Sequence, residues 1–191
     1  MPPKPKFTRE QIVAAALDIV AEQGPSALTA KALGDALGSS ARPIFTVFDS
    51  MAQVREAVRG AAMARFEGYA AHALPDMPRF KQVGIQMLHF AAREPKLYQL
   101  LFMTERDAAD GIASLLDSLG DTARQCIEAL ERDYALAPEA AERVFENVWV
   151  YTFGVGALCA TGACRFSEQQ LGQMLTTEFQ AMLAYVRSEE T

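Results

Sequence analysis

Residues 28–48, LTAKALGDALGSSARPIFTVF, contain two short segments with the apolar spacing of helices, separated by Gly-Ser-Ser. Two helices joined by so short a turn must cross steeply, as they do in a helix-turn-helix. Gly34 lies in the middle of the first helix, where glycine costs about 1 kcal/mol relative to alanine. That cost is understandable if a side chain there would collide with the second helix. Gly38 can supply the positive φ that reverses the chain. Four apolar residues are spaced to hold the two helices together: Leu33, Leu37, Ile44 and Val47.

The second helix of this stretch is predicted to begin with Ser40 as its N-cap. Pro43 then falls in the first turn, where the missing N–H breaks no intrahelical bond. The residues that face outward would form a surface able to enter the major groove of DNA. They are Ala41, Arg42, Phe45 and Thr46. The pattern favours a DNA-reading helix-turn-helix, and the alternative is a helical hairpin that only packs against the rest of the chain.

The remainder of the chain shows helical periodicity only. Thr8 and Gln11 form a capping box at the start of the first helix, and Ser167 and Gln170 form another at the start of the last. A further helix is predicted from the apolar spacing of residues 112–130. No segment shows sustained strand alternation flanked by hairpin turns. The sequence therefore predicts an all-α fold of about nine helices without an internal repeat.

Hydrophobicity indicates the class of protein. Half of the 191 residues are hydrophobic, which is enough for a sizeable core. No uninterrupted apolar run reaches the length of a membrane span, and no apolar segment follows the lysines of the N-terminal MPPKPKF. We therefore expect a soluble, cytoplasmic protein without a membrane partner.

Charge is distributed unevenly along the chain. Residues 1–60 hold seven Lys/Arg and six Asp/Glu, whereas the rest of the chain holds eleven and eighteen. The formal net charge of −6 argues against a general nucleic-acid coat protein. It leaves room for a local DNA-contacting patch near the N-terminus.

The cysteines and histidines do not have the spacing of metal ligands. Cys126, Cys159 and Cys164 include no C-x-x-C pair, and His72 and His89 are the only histidines. We expect neither a metal site nor a disulfide framework. The favoured interpretation is that the cysteines are small buried apolar side chains in a reducing compartment. A redox role for Cys159 and Cys164 stays open.

Motifs of common enzyme classes are absent from the sequence. There is no E-x-x-H pattern of a di-iron bundle and no phosphate-binding loop. Gly154-x-Gly156 lies within a helical aromatic run and does not follow a strand, so it is not a dinucleotide fingerprint. We expect no catalytic residues and no cofactor.

Residues 8 to about 55 resemble the DNA-binding domain of TetR-type (tetracycline-repressor-like, TetR/AcrR) transcriptional regulators. That family has a first helix ending in Gly, a T-…-A-…-G helix, a turn, and a short recognition helix ending in aromatic-x-x-F. The corresponding pieces here are TREQIVAAALDIVAEQGPSALT, AKALGDALG and SARPIFTVF. The resemblance implies that residues 1–50 form a helix-turn-helix DNA-binding domain. It also implies that residues 51–191 form a helical domain that binds an effector and dimerises.

The chain departs from the family pattern at four positions. Phe45 stands where Tyr is usual, so one hydroxyl-to-phosphate hydrogen bond is absent. Val47 stands where His is common, Met51 where a Lys often opens the next helix, and Ser39 replaces the usual apolar turn residue. Fewer phosphate donors imply weaker and less salt-sensitive DNA binding. The residues expected to contact DNA are Thr29, Ser39, Ser40, Ala41, Arg42, Pro43, Phe45 and Thr46.

The resemblance also implies a homodimer in which the last two long helices of each copy form a four-helix bundle. The final helix supports this independently, because its apolar stripe is wide enough to need both an intrachain and an interchain partner. The alternative is ordinary packing within one chain. The residues expected in the dimer interface are Leu171, Met174, Leu175, Phe179, Met182 and Leu183.

Aromatic and methionine side chains are numerous in the helices that would enclose an effector cavity in this family. Such side chains line adaptable apolar pockets, although at helical spacing each of them is also an ordinary core residue. The sequence does not identify the effector. The residues expected to line its pocket are Met63, Phe66, Met87, Phe102, Met103, Trp149 and Phe153.

These features together predict a ligand-responsive transcriptional regulator. It would act as a repressor that binds a palindromic operator in double-stranded DNA as a homodimer and is released by a small-molecule effector. The alternative is a helical ligand-binding or protein-interaction module whose helix-turn-helix no longer reads DNA.

Overall fold

A computed structural model describes residues 5–75, 77–104 and 119–189. These residues form α-helices joined by turns and contain no strand, as the sequence predicts. Eight helices lie in the described ranges, close to the predicted nine. They are α1 (Arg9–Gln23), α2 (Ala30–Ala36), α3 (Met51–Ala71), α4 (Arg79–Arg93), α5 (Pro95–Phe102), α6 (Asp121–Tyr134), α7 (Pro138–Ala160) and α8 (Glu168–Glu189).

Local sequence signals set where several helices begin. The Thr8 hydroxyl accepts a hydrogen bond from the Gln11 N–H at 3.3 Å, and the Gln11 side chain accepts one from the Thr8 N–H at 2.9 Å. The same reciprocal pair joins Ser167 and Gln170 at the start of α8, at 3.2 and 2.8 Å. Both predicted capping boxes are therefore confirmed.

The predicted helix over residues 112–130 is interrupted where the structure describes it, because residues 119 and 120 form a turn. Gly120 has a φ of 49°, which breaks the helical path, and α6 begins at the next residue. The part of the prediction that falls on residues 112–118 lies outside the described residues.

The described residues fall into two compact units. The first contains residues 5–65 and 94–104, and its core includes fully buried residues of α1, α2, α3 and α5. Arg59 of α3 is tied to the end of α5, because its guanidinium donates to the carbonyls of Leu100 and Leu101, both at 3.0 Å. Arg65 forms an ion pair with Glu94. The first unit is thus a helical cluster closed by α5.

The second unit contains the described residues of 66–93 and 119–189. Its centre is aromatic: Phe66 packs edge-on against Phe90 with ring centroids 5.5 Å apart, and Phe145 stacks on Trp149 at 5.3 Å. A cluster of buried residues joins α4, α7 and α8, and it consists of Ile85, Leu88, Val155, Leu171 and Leu175.

The division between the units falls inside α3, after Arg65. The sequence predicts a boundary after residue 50 between a DNA-binding domain and an effector-binding domain. This boundary divides functions and not compact units, and it stays a prediction. None of the described helices is both long enough and apolar enough to cross a membrane.

Cys126 offers a chemical test of packing in the second unit. Its side chain is buried, and this burial raises the pKa of the thiol to about 12. Because the thiolate is the reactive form, we expect Cys126 to resist iodoacetamide at about pH 8 in the folded protein and to react after denaturation. Mass spectrometry of labelled peptides would measure this, with the half-buried Cys159 and Cys164 as internal references. Equal labelling of all three thiols in the folded protein would contradict the expectation.

Candidate functional site

The turn after α2 has a regular hydrogen-bonding pattern. The Ser39 N–H donates to the Gly34 carbonyl at 2.9 Å, and the Gly38 N–H donates to the Asp35 carbonyl at 3.0 Å. Gly38 has a φ of 60°, the left-handed conformation predicted for it. These features make a Schellman motif, which satisfies the last carbonyls of α2 and reverses the chain within a few residues.

Gly34 permits the close approach of that turn. A Cβ placed on Gly34 would lie 3.0 Å from three backbone atoms: the Ala41 nitrogen, the Ser39 oxygen and the Ser40 carbonyl carbon. These neighbours are main-chain atoms of a hydrogen-bonded turn, so they cannot move aside as a flexible side chain would. A side chain at Gly34 would therefore collide, as the sequence indicated, but with the backbone of the turn and not with a second helix.

The segment after the turn differs from the predicted second helix. It contains a single 3₁₀ turn, Ile44–Thr46, which follows Pro43, and no side chain caps it. The prediction that Ser40 caps a longer helix is therefore wrong. Pro43 has no N–H to donate, and a fixed proline ring limits how far an α-helix can extend on its N-terminal side. The segment is anchored by Ile44, which is fully buried.

The structure gathers the predicted DNA-contacting side chains on one short segment plus the start of α2. Arg42, Phe45 and Thr46 are exposed, with 45% of Phe45 accessible to solvent. The hydroxyls of Thr29 and Thr46 have local partners: Thr29 accepts from the Ala32 N–H at 3.1 Å, and Thr46 donates to the Pro43 carbonyl at 2.6 Å. Ser40 is exposed, whereas Ser39, Ala41 and Pro43 are half-buried.

Two basic residues near the N-terminus were missed by the sequence analysis. The Lys6 ammonium donates to the Ser39 hydroxyl at 3.1 Å, so it lies beside the turn. The Arg9 guanidinium lies over the ring of Phe48, 4.4 Å from its centroid. The signal that could have found them is the presence of Lys6 and Arg9 close to Thr8, the first N-cap. With the exposed Arg42, they are three of the basic residues of the first unit.

A cavity of about 300 Å³ lies within the second unit, between α4, α7 and α8. Aromatic and aliphatic side chains dominate its wall. It is lined by Pro78, Phe80, Lys81, Gly84, Tyr134, Val148, Trp149, Thr152, Leu175, Thr176, Phe179, Gln180 and Leu183. Its volume is at the lower end of the range for small-molecule sites.

Lys81 and Trp149 place two hydrogen-bond donors in this wall. Lys81 is half-buried, and no carboxylate within the described ranges pairs with it. The indole N–H of Trp149 is buried, and no described atom accepts a hydrogen bond from it. Buried donors normally find an acceptor, so the indole N–H of Trp149 is unusual. Among the described residues, no group of three or more His, Cys, Asp and Glu side chains is arranged to hold a metal ion.

No family model matches the chain, and no curated protein sequence matches it. Two solved structures are similar over nearly the whole chain. One is a proposed TetR-family transcriptional regulator from Vibrio parahaemolyticus, with a TM-score of 0.62, 19% identity, and coverage of 92% of this chain and 98% of that one. The other is a proposed TetR-family transcriptional regulator from Mesorhizobium loti, with a TM-score of 0.58, 16% identity, and coverage of 94% and 98%.

The chain has a TetR-type fold. The resemblance inferred from residues 8 to about 55 is thereby confirmed for the architecture, and the likeness extends far beyond that segment. Identity below a fifth shows the fold alone, because superfolds support different functions with the same architecture. The functional argument must come from the site residues of this chain.

Within the TetR-type fold, the residues predicted for the effector pocket are dispersed. Trp149 lines the cavity, and Phe66 and Met87 are buried elsewhere in the second unit, with Phe153 half-buried. The other three belong to the first unit: Met63 is half-buried, Phe102 is buried, and Met103 is 43% exposed. The role of these seven in binding an effector stays a prediction.

The residues predicted for the dimer interface lie largely against the chain's own core. Leu171 and Leu175 are each 4% exposed, so they have little surface left for a partner. Phe179 packs on Tyr134 with ring centroids 4.8 Å apart and lines the cavity, as Leu175 and Leu183 also do. Met174 and Met182 are half-buried. Exposed apolar side chains of α7 and α8 lie elsewhere: Val150, Leu158 and Tyr185, at 46%, 40% and 50% exposure.

Proposed function

We propose that this protein is a ligand-responsive transcriptional repressor. It binds a palindromic operator as a homodimer in the cytoplasm, and a small molecule that binds the second unit releases it. The observation that carries the proposal is the turn after α2, where Gly34 and Gly38 build a tight reversal and present Arg42 and Phe45 to solvent. The TetR-type fold supports it.

The exposed segment has the chemistry of a DNA-reading surface. Arg42 can donate two hydrogen bonds to the N7 and O6 atoms of a guanine, and Phe45 can contact a thymine methyl group. Lys6 and Arg9 can approach phosphates, which position a protein on DNA without specifying sequence. Phe45 lacks the hydroxyl that a Tyr would offer to a phosphate, so few side chains of this surface bind phosphates. We therefore expect the affinity for DNA to depend only weakly on salt concentration.

Dimerisation would use the exposed faces of α7 and α8. Val150, Gly154 and Leu158 are spaced four residues apart and are all exposed, so they form one stripe along α7. No heavy atom lies within 4 Å of a Cβ built on Gly154, which leaves room for a partner helix to approach. Tyr185 and the half-buried Met174 and Met182 of α8 would complete the interface. A dimer presents two reading segments, as a palindrome requires.

The switch is a coupling between ligand and operator. α3 is a single helix from Met51 to Ala71, with its first residues in the DNA-reading unit and its last in the second unit. We infer that a ligand which moves the second part of α3 changes the separation of the two reading segments. An operator requires half-sites about 34–36 Å apart, so only one state fits. Ligand and DNA must then weaken each other's binding by the same factor, a coupling of about 1–3 kcal/mol.

The test begins with operator selection. The purified protein would be used to select binding sites from a random pool of DNA duplexes, and the selected duplex and a scrambled one would then be titrated. Arg42→Ala is expected to cost about 1–3 kcal/mol on the selected duplex and to relax preference at one base pair per half-site.

Arg55→Ala is the matched control for that experiment. Arg55 is an exposed arginine of α3 in the same unit, outside the reading segment. Arg55→Ala removes the same charge as Arg42→Ala does. We expect a small loss of DNA affinity that is equal on the selected and scrambled duplexes. A failure of the selection to enrich any sequence would favour the alternative, a ligand-binding module that does not read DNA. Equal losses for Arg42→Ala on both duplexes would show that Arg42 contacts only phosphate.

A further inference from the structure

We propose that the cavity of the second unit binds an amphipathic monocarboxylate, with its apolar body inside the cavity and its carboxylate paired with Lys81. The inference rests on the proposed function, because it assigns the chemical class of the small molecule to which the regulator responds. It excludes cationic ligands from this site.

The charges of the cavity wall determine the sign of the ligand. Among the described residues of the wall, Lys81 is the only one that is charged at neutral pH, and none of them is Asp or Glu. The described residues provide no carboxylate that pairs with Lys81. The Lys81 ammonium repels a second cation and attracts an anion at this place in the wall. The carboxylate of a ligand can supply that anion.

The position of Lys81 determines where the carboxylate lies. Lys81 and Thr176 belong both to the wall of the cavity and to an outer cleft that is otherwise lined by Gln169, Gly172, Gln173 and Thr177. A carboxylate at this junction keeps part of its hydration and gains a charge-assisted hydrogen bond. Deeper burial would cost far more, because the described residues of the inner wall include no second cation.

The inner wall of the cavity determines the chemistry of the ligand's apolar body. Phe80 and Phe179 lie with ring centroids 5.7 Å apart, and Tyr134 packs on Phe179. Together with Trp149 and the aliphatic side chains of the wall, these rings offer an apolar surface to a short aliphatic chain or an aromatic ring. The cavity volume of about 300 Å³ restricts the body to a small one.

Trp149 makes the site directly observable. It is the single tryptophan of the chain, it lines the cavity, and its indole N–H lacks an acceptor among the described residues. A ligand that enters the cavity therefore changes the surroundings of the only indole fluorophore.

The test compares three probes that have eight-carbon chains and differ in charge. Octanoate is anionic, octanol is neutral and octyltrimethylammonium is cationic. Each would be titrated into the full-length protein without DNA, with Trp149 emission and calorimetry as independent measurements. We expect saturable binding of octanoate that is at least about tenfold tighter than that of octyltrimethylammonium. Lys81→Met should weaken octanoate binding about tenfold or more and leave octanol binding nearly unchanged. Lys81→Arg should retain octanoate binding.

Lys96→Met is the matched control, because Lys96 is also half-buried on a helix but lies outside the cavity. It should leave the affinities of all three probes unchanged. The inference is overturned if octyltrimethylammonium binds as tightly as octanoate, if calorimetry detects no binding of octanoate, or if Lys81→Met leaves octanoate affinity unchanged.

A second arm separates this inference from the proposed function. The affinity for the selected operator duplex would be measured with and without saturating octanoate. Binding of octanoate through Lys81 with unchanged operator affinity would refute the ligand switch and leave the ligand class intact. A specific operator together with no binding of octanoate would refute the ligand class alone.

Discussion

Gly34→Ala is expected to lower the free energy of unfolding of the first unit by about 1–3 kcal/mol and to remove most operator binding. The usual effect of this substitution in a helix interior is the opposite, since alanine favours the helix by about 1 kcal/mol. At this position the new methyl group would lie 3.0 Å from three backbone atoms of the turn. The Ser39 N–H donates to the Gly34 carbonyl at 2.9 Å, so we expect that relief of this contact would strain that hydrogen bond and displace the segment that carries Arg42.

Gly60→Ala is the matched control for this substitution. Gly60 lies inside α3 in the same unit, and no atom lies within 4 Å of a Cβ built there. Its replacement should raise stability by up to about 1 kcal/mol. Urea denaturation followed by circular dichroism would measure both variants. A Gly34→Ala protein as stable as the Gly60→Ala protein would show that the turn can yield.

Gly38→Ala separates steric from conformational effects in the same turn. Its added Cβ would meet no atom within 4 Å, but its φ of 60° is unfavourable for alanine. We expect a loss of about 1 kcal/mol from backbone strain alone. The comparison would show how much of the effect at Gly34 comes from crowding.

Leu158→Glu is expected to convert the dimer to a monomer at micromolar concentration and to reduce affinity for the palindromic operator by about 10²–10⁴-fold. Leu158 is 40% exposed on the apolar stripe of α7, so the substitution should not disturb the core. In the dimer, however, it would bury an unpaired carboxylate in each copy. Two linked reading segments exceed the affinity of one by roughly this factor through effective concentration.

Met103→Glu is the matched control, because it places the same carboxylate at another exposed apolar residue. Met103 is 43% exposed and follows α5 in the first unit, whereas the stripe belongs to α7 of the second unit. It should leave the oligomeric state unchanged. Sedimentation and operator titration would measure both variants. A wild-type protein that sediments as a monomer, or a Leu158→Glu protein that remains dimeric, would contradict the interface proposed for α7.

Several features of the fold could be predicted because their causes are local. A capping box needs only the four residues from Thr8 to Gln11, and both boxes are present as predicted. The turn at Gly38 is likewise encoded by a short segment, since only glycine adopts its φ at low cost. The all-α class follows from apolar spacing over whole helices, and the TetR-type resemblance of residues 8 to about 55 follows from these same short signals.

Other features could not be predicted from short signals. The spacing of Leu171, Leu175 and Phe179 shows that they share a face of α8, but spacing does not say whether that face meets the chain's own core or a second copy. The structure places these residues against α4, α6 and α7. In place of the helix expected after Ser40, the structure has a single 3₁₀ turn, Ile44–Thr46, in which Ile44 is fully buried.

The sequence by itself determined the helices that begin at Thr8 and Ser167, the tight turn at Gly38 and the need for glycine at Gly34, because hydrogen bonds and contacts between near neighbours decide them. The tertiary structure alone decided that Lys81 of α4 borders the cavity that Trp149 of α7 lines. These residues lie on helices far apart in the chain, and side chains from distant helices meet only through packing. For this reason Lys81 had no signal in the sequence, although it determines the charge of the ligand that we propose.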